Sequence, residues 1–333
     1  MADLLSQVRG VGKEVDDLLE GIVGGSKEVE ELYKAAKHVI RVGGKRVRPF
    51  IVVRSCEAVG GDPRDALRVA AGLELLHTFT LIHDDIMDRD ETRRGVPTVH
   101  KVWGIPMAIV AGDLLFAKVY EALIQYLESR SLPPSTVSEM LKRVTDAVVR
   151  ICEGQMLDFS YERRLDATEE DYLKVIERKT AALFEVSAEV GGLVGGGSAE
   201  QVEALGQYGL NAGIAFQLVD DVLGMTGDES ALGKPIGSDV REGKMTLMII
   251  HALKRGDPSQ RERIGKTLGD MKAKSSEVSE VIEIVRSLGS IDFTLDRARS
   301  YVAEAKRSLR ALQPSKARRD LAELADFFVS REY

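Results

Sequence analysis

An all-α protein is predicted by three features of the chain. Apolar residues recur at spacings of three and four from end to end, and stretches that alternate with period two are few. Glycine pairs and prolines punctuate those periodic stretches where helices would stop. No Ser-, Pro- or Gly-rich linker and no solenoid period divides the 333 residues, so a single helical domain over 1–333 is expected.

The elements follow in order. A first helix is expected over Leu4 to Ile22, stopped by Gly24-Gly25, and a second over Glu28 to Arg41, stopped by Gly43-Gly44. After Pro49, FIVVRSCEAVG reads as a buried helical segment closed by Gly60-Gly61. Asp62 is placed to cap a long central helix, with Pro63 at its first position, where the missing N–H costs nothing. Pro97 and Pro106 bracket a loop, and helices are expected over Ala108 to Ser129, Ser135 to Tyr161, Thr168 to Gly191 and Ser198 to Gly224. The last two start with Thr or Ser followed by Glu, as in a capping box. A loop over Thr226 to Gly243 leads to a short helix from Met245 to Leu253, and about four amphipathic helices are expected in Pro258 to Tyr333. The cluster GGLVGGG, Gly191 to Gly197, lacks both GxGxxG and GxxxxGK[ST] spacing and reads as a tight turn between helices.

Composition narrows the function classes. Hydrophobic residues at 44% with charged residues at 30% describe a soluble globular protein, and a net charge of −7 offers nucleic acid no general attraction. No apolar run reaches the roughly 18 residues that span a bilayer, and the amphipathic, acidic N-terminus has no signal-peptide character. Cys56 and Cys152 carry no metal-like spacing and read as buried thiols in a reducing, cytoplasmic setting.

The chemistry concentrates in LLHTFTLIHDDIMDRDETRRG, Leu75 to Gly95. Asp84 and Asp88 stand four apart on one helical face, with roughly 6 Å between Cβ atoms; Asp85 lies between them. Carboxylates so spaced suit Mg²⁺, a hard cation that keeps several waters and often shares its shell with phosphates. Taken alone, the cluster reads as well as a solvated acidic turn. A second pair, Asp220 and Asp221 in FQLVDDVLG, ends another apolar helix, and burying such groups uncompensated costs several kcal/mol per ion. If the two helices face one another, both pairs can share divalent cations. Basic residues then have a use as partners of a polyanion: Lys45, Arg46 and Arg48 in GGKRVRP, Arg93 and Arg94, Lys179, Lys234 and Lys244.

The ordered set GGKRVRP, LLHTFTLIHDDIMDRDETRRGVPTVH, AGDLLFA, EGQMLDF, ERKTAALF, FQLVDDVLG and GKPIGSDVREGKMT resembles the trans-isoprenyl diphosphate synthases, also called polyprenyl synthetases, over nearly the whole chain. The resemblance implies a single bundle of antiparallel helices around a central cavity, assembled as a homodimer or a higher homo-oligomer. It implies Asp84, Asp88 and Asp220 as Mg²⁺ ligands, more than one ion to a site, with Asp85, Asp221 and Asp239 orienting metal-bound water. An allylic diphosphate would meet Arg93, Lys179, Lys234 and Lys244, while Lys45, Arg48, His77 and Arg94 would hold isopentenyl diphosphate without metal. For His77 the competing reading is a packed core histidine. Thr180 and Gln217 resemble the residues that face the allylic carbocation, and with Lys179 they form the catalytic group.

The implied reaction is ionisation of the allylic C–O bond, attack by the double bond of isopentenyl diphosphate and loss of a proton, with no Ser-His-Asp or Cys-His constellation required. Product length is expected in the cavity wall: Phe79 lies about 7.5 Å along the helix from Asp84, beside Thr80 and one turn from Leu76. An aromatic there, with a small neighbour, is similar to the archaeal-type geranylgeranyl diphosphate synthases, as is the glycine at Gly224 where many relatives have a third Asp. A farnesyl or farnesylgeranyl product is the alternative. Two other classes compete: a terpene synthase or head-to-head coupler, which needs no counterpart of Lys45, Arg48 and Arg94, and a non-catalytic subunit, which has no need of clustered carboxylates.

Overall fold

The structure is a computed structural model, which describes residues 2–130, 132–227 and 236–330. Helix dominates the described residues, and the strands among them are β1 (Thr92–Arg93) and β2 (Val96–Pro97). The chain separates into two compact units: residues 1–144, 186–206 and 309–324 form the first, and 145–185, 207–308 and 325–333 form the second.

The first unit holds α1 (Ala2–Val23), α2 (Glu30–Val42), α3 (Val47–Ala58), α4 (Pro63–Met87), the β1–β2 hairpin, α5 (Val99–Trp103) and α6 (Ile105–Arg130). The central helix α4 begins as its sequence dictates: the Asp62 side chain accepts from the Arg64 N–H, and Pro63 occupies the first turn. From Val69 to Leu76 every residue is buried, because this stretch of α4 packs against α6 as well as α3 and α1. Gly72 brings α4 close to α6: a Cβ there would already touch Ala122, 3.5 Å away. Beneath this core Arg46, 5% exposed, bridges Glu74, 3% exposed, at 2.7 Å and Asp16 at 2.7 Å, and donates to the Ile40 carbonyl. The glycine cluster belongs to this unit too. Gly191 and Gly192 lie inside a helix, and a Cβ on Gly191 would stand 2.3 Å from the Val52 carbonyl oxygen; Gly195 to Gly197 make the expected turn, with Gly196 at φ 75°.

The second unit takes the greater part of α7 (Pro134–Tyr161), then α8 (Glu169–Ile176), a π-helical turn (Glu177–Ala181), the start of α9 (Ala182–Val194) and most of α10 (Ala199–Thr226). It continues through α11 (Ser238–Glu242), α12 (Leu247–Arg255), α13 (Pro258–Thr267), α14 (Ser275–Ser287) and α15 (Ser290–Ser308), and includes the end of α16 (Lys316–Ser330). Phe184, Phe216 and Phe328 pack in a triangle with ring centroids 5.2 to 6.0 Å apart. The two pairs made by Phe328 are edge-to-face and that of Phe184 with Phe216 is tilted; aromatic pairs add about 0.5–1.5 kcal/mol each beyond their buried area.

Three expectations need correction. Pro106 lies in the first turn of α6, where proline is tolerated, and the bracketed loop contains α5. Both capping boxes form, but the reciprocal partners are Asp171 for Thr168 and Gln201 for Ser198, because the third helical position rather than the nearest Glu reaches back to the cap N–H. Cys56 is buried as expected, whereas Cys152 is exposed: it sits on the outward stripe of α7 with Val149 and Met156, so its apolar neighbours in sequence are not neighbours in the core.

Candidate active site

In the first unit the acidic motif ends α4. Asp84 lies in the last helical turn, Asp88 is the residue that stops the helix, and its N–H donates to the Asp84 carbonyl at 2.8 Å. That hydrogen bond preserves the four-residue spacing past the formal helix end, with both carboxyl groups half-buried. Asp85 points inward, 1% exposed, and accepts from the Arg93 guanidinium at 2.5 and 2.6 Å. Arg93 also reaches Asp90 at 3.5 Å, and these acidic neighbours raise its pKa despite the opposing effect of burial.

The arginines are presented by a tight hairpin. Arg94 (φ 53°) and Gly95 (φ 79°) link β1 to β2 with both central residues left-handed, the backbone of a two-residue hairpin that follows the native strand twist. Gly44 leaves room for the result: a Cβ there would stand 2.9 Å from Arg94 Nη1. Arg94 also borders a cavity of about 670 Å³, lined in part by Lys34, His38, Arg41 and Trp103. Burial, and then Arg48, Arg94, Arg93 and Arg46 in that order, hold the His77 pKa well below 6.5, so the ring is neutral. His77, Arg48, Arg93 and Arg94 are thereby brought into one electropositive group; Lys45 is exposed beside it in sequence, at the foot of α3.

One turn below the acidic motif, α4 carries Phe79 against an aromatic row. Its ring lies 4.8 Å from His83 and 5.1 Å from Phe116 of α6, which in turn meets Tyr120 at 5.4 Å. His83 can stand there because residue 112 is glycine, where a Cβ would be 2.2 Å from its Nε2. Leu76 is fully buried, and the half-buried Thr80 donates its hydroxyl to the His77 carbonyl.

In the second unit the catalytic candidates form a hydrogen-bonded relay. The Thr180 hydroxyl donates to Gln217 Oε1 at 2.9 Å, Gln217 Nε2 donates to Asp221 Oδ1 at 2.7 Å, and the buried Tyr172 hydroxyl donates to Asp221 Oδ2 at 2.6 Å. Lys179 Nζ pairs with Asp158 Oδ2 at 2.6 Å. Lys179 and Thr180 occupy the π turn, whose wider ring is closed by the Ala182 N–H bonding to the Glu177 carbonyl. Burial and the Asp239 carboxylate push the Asp221 pKa up to about 7, against the lowering hydrogen bonds from Tyr172 and Gln217; Asp220 adds to the rise. Asp239 sits in α11 between Gly237 and Gly243, both left-handed, and the Gly237 N–H donates to the Gly224 carbonyl. A Cβ on Gly224 would lie 3.3 Å from Asp239 Oδ2, so the place of the missing third Asp adjoins another carboxylate. Lys244 meets Glu242 at 2.7 Å and Asp239 at 3.8 Å. Lys234 lies outside the described residues.

Among the described residues no group of three His, Cys, Asp or Glu is preformed around one metal position. The donors nonetheless fit a hard divalent cation, since every candidate is a carboxylate and Asp220, Asp221 and Asp239 crowd enough to raise a pKa that a cation would lower again.

A model of the Polyprenyl synthetase family matches residues 29–285. The chain belongs to that family. A short chain isoprenyl diphosphate synthase of Methanothermobacter thermautotrophicus is 49% identical over 91% of both chains. The crystal structure of a geranylgeranyl pyrophosphate synthetase from Pyrococcus horikoshii is 44% identical, with a TM-score of 0.91 over 99% of both chains. A polyprenyl synthase from Caulobacter crescentus, crystallised with calcium and isoprenyl diphosphate, is 33% identical with a TM-score of 0.90 over 99% of this chain and 97% of that one. This polyprenyl synthetase is therefore an all-α, chain-elongating prenyltransferase, of a family that uses divalent metal.

Several partners of these side chains carry no role in the sequence reading. Asp158 stands in the quoted EGQMLDF motif without a role, yet it holds Lys179. Tyr172 precedes the ERKTAALF motif and had no signal beyond its helical spacing, and Glu74 is a lone acid in an apolar stretch, legible as a buried partner only once Arg46 is seen beside it.

Proposed function

We propose that this chain condenses isopentenyl diphosphate in trans with dimethylallyl, geranyl and farnesyl diphosphates, ending at geranylgeranyl diphosphate and releasing diphosphate at each step. One observation carries the reading: Arg48, Arg93 and Arg94 gather around a His77 whose ring is neutral, and guanidinium groups so gathered suit a diphosphate that brings no metal with it. A terpene synthase, which binds one diphosphate and that one through metal, has no use for them.

In this reading Lys45, Arg48, His77 and Arg94 hold isopentenyl diphosphate, and Arg93, Lys179, Lys234 and Lys244 hold the allylic diphosphate. Asp84, Asp88 and Asp220 would hold Mg²⁺, with Asp85, Asp221 and Asp239 in support, and the ion would supply charge neutralisation at the departing diphosphate. The chain's own residues do the rest. Lys179, oriented by Asp158, adds positive charge at the leaving group. Thr180 and Gln217, fixed by their mutual hydrogen bond and by Asp221, turn oxygen dipoles towards the allylic cation without a mobile water. The Phe79–Phe116–Tyr120 row closes the prenyl channel and limits length. A homodimer belongs to the same proposal, supported by the exposed apolar face of α6 that carries Ile105, Ile109, Val110 and Ile124. A cytoplasmic setting rests on the acidic composition and two free thiols.

The test is elongation by the purified protein with labelled isopentenyl diphosphate, each allylic primer in turn and Mg²⁺. A ladder ending at twenty carbons is expected, and no incorporation with metal present overturns the proposal.

A further inference from the structure

The turn that carries Lys179 and Thr180 is held in an unusual way. On α7, Arg150, Gly154 and Asp158 follow at four-residue spacing and so line one helical face. Arg150 pairs with Glu185 at 2.6 Å and Glu177 at 3.6 Å, the acids that flank the turn. Asp158 holds the Lys179 ammonium at 2.6 Å. Between them Gly154 receives the turn's backbone: a Cβ there would lie 2.4 Å from the Lys179 nitrogen and 2.8 Å from its Cα. On α10 the same arrangement repeats. Gly209, Gly213, Gln217 and Asp221 follow at four-residue spacing. A Cβ on Gly209 would be 2.5 Å from the Phe184 carbonyl oxygen, and one on Gly213 would be 2.7 Å from the Ala181 Cα. One turn further along, Gln217 takes the Thr180 hydroxyl.

Each helix thus offers a glycine notch for the backbone and, four residues on, a polar side chain for the functional group. The π turn widens the ring at the same place, which puts Lys179 against α7 while Thr180 reaches α10. The geometry points to Gly154 and Gly213 as positioning residues for the reaction, setting Lys179 and Thr180 by backbone contact. This inference rests on the proposed function, since it assigns the residues that aim that site. Ordinary contact begins at 3.4 Å, so a methyl group at Gly154 moves the turn by about 1 Å. A misplacement of about 1 Å at a reacting centre costs on the order of a hundredfold in rate.

The test is Gly154→Ala in the full-length enzyme with farnesyl diphosphate, isopentenyl diphosphate and Mg²⁺. The expected result is a kcat about a hundredfold lower, a KM for isopentenyl diphosphate within about twofold of the parent, and a larger share of farnesyl diphosphate hydrolysed to the alcohol per elongation. That share rises because a cation formed beside a displaced Thr180 is captured by water more often. Gly21→Ala is the control: Gly21 sits in α1 with no atom within 4 Å of an added Cβ, and parent behaviour is expected. Parent kcat and parent partition in Gly154→Ala overturn the inference, as does a fall in kcat with the hydrolysed share unchanged. If Gly154→Ala does not fold, Gly213→Ala decides: a Cβ there stands 2.7 Å from the Ala181 Cα, so the same turn is displaced from the α10 side. A raised hydrolysed share supports the inference, and a parent-like share overturns it. The parent enzyme separates the two claims, because failure of the parent to elongate overturns the proposed function, whereas an active parent with unaltered variants overturns the positioning alone.

Discussion

Removing the Phe79 ring tests the length limit most directly. Phe79→Ala takes away one edge-on contact with His83 and one tilted contact with Phe116, at centroid distances of 4.8 and 5.1 Å. Each such pair contributes about 0.5–1.5 kcal/mol. Truncating a fully buried Phe costs about 3–5 kcal/mol, these contacts included. Phe79 is half-buried, so a loss of about 2–3 kcal/mol is expected. A domain with the usual 5–15 kcal/mol survives that. The aromatic row would then begin at Phe116 on α6, and the space beside Leu76 and Thr80 would open to the growing chain. Products at least one five-carbon unit longer than the parent's are expected by chromatography under saturating isopentenyl diphosphate. A folded, active Phe79→Ala enzyme with the parent's product distribution would refute the argument, since the ring would then have been core filling alone.

Other expectations follow from the same contacts. Arg46→Met leaves Glu74 charged and buried without its partner, a loss of about 3–5 kcal/mol; in urea unfolding, the double variant with Glu74→Leu should be more stable than Arg46→Met, and equal or lower stability counts against the pair. His77 is held below 6.5 by burial and by Arg48, Arg94, Arg93 and Arg46. The unfolded chain therefore takes up that proton first, so the group costs nothing above pH 6.5 and destabilises the fold as pH drops beneath it; an NMR titration midpoint at or above 6.5 would contradict this. Chelation of divalent metal should stop elongation and Mg²⁺ should restore it, while Asp88→Asn should lower kcat by about a hundredfold or more. Full activity in excess chelator would exclude the metal role.

Local patterns of spacing and capping made most helices legible. Asp62 and Pro63 start α4 where their chemistry says they should, and glycine pairs end α1 and α2 near the expected places. The acidic and basic motifs were legible because charge inside apolar helices is costly and needs a reason. What stayed hidden depends on contacts between segments distant in sequence. The π turn leaves no mark in ERKTAALF, since one extra residue in a helical ring changes no apolar spacing within so short a stretch. Gly154 and Gly112 carry no signal in spacing: the Lys179 backbone and the His83 ring that lie against them come from segments distant in sequence. Cys152 misled for the opposite reason: Val149 and Met156, its helical neighbours, face outward with it.

That exposed thiol has a practical consequence. The chain has two cysteines. Cys56 is fully buried, and burial pushes its thiol up to about 12, so it forms little thiolate at neutral pH. A maleimide dye or spin label added to the native protein should therefore attach at Cys152 alone, with no cysteine removed. The probe would sit on the outer side of α7, two residues from Gly154, and would register movement of that helix as diphosphates bind and leave.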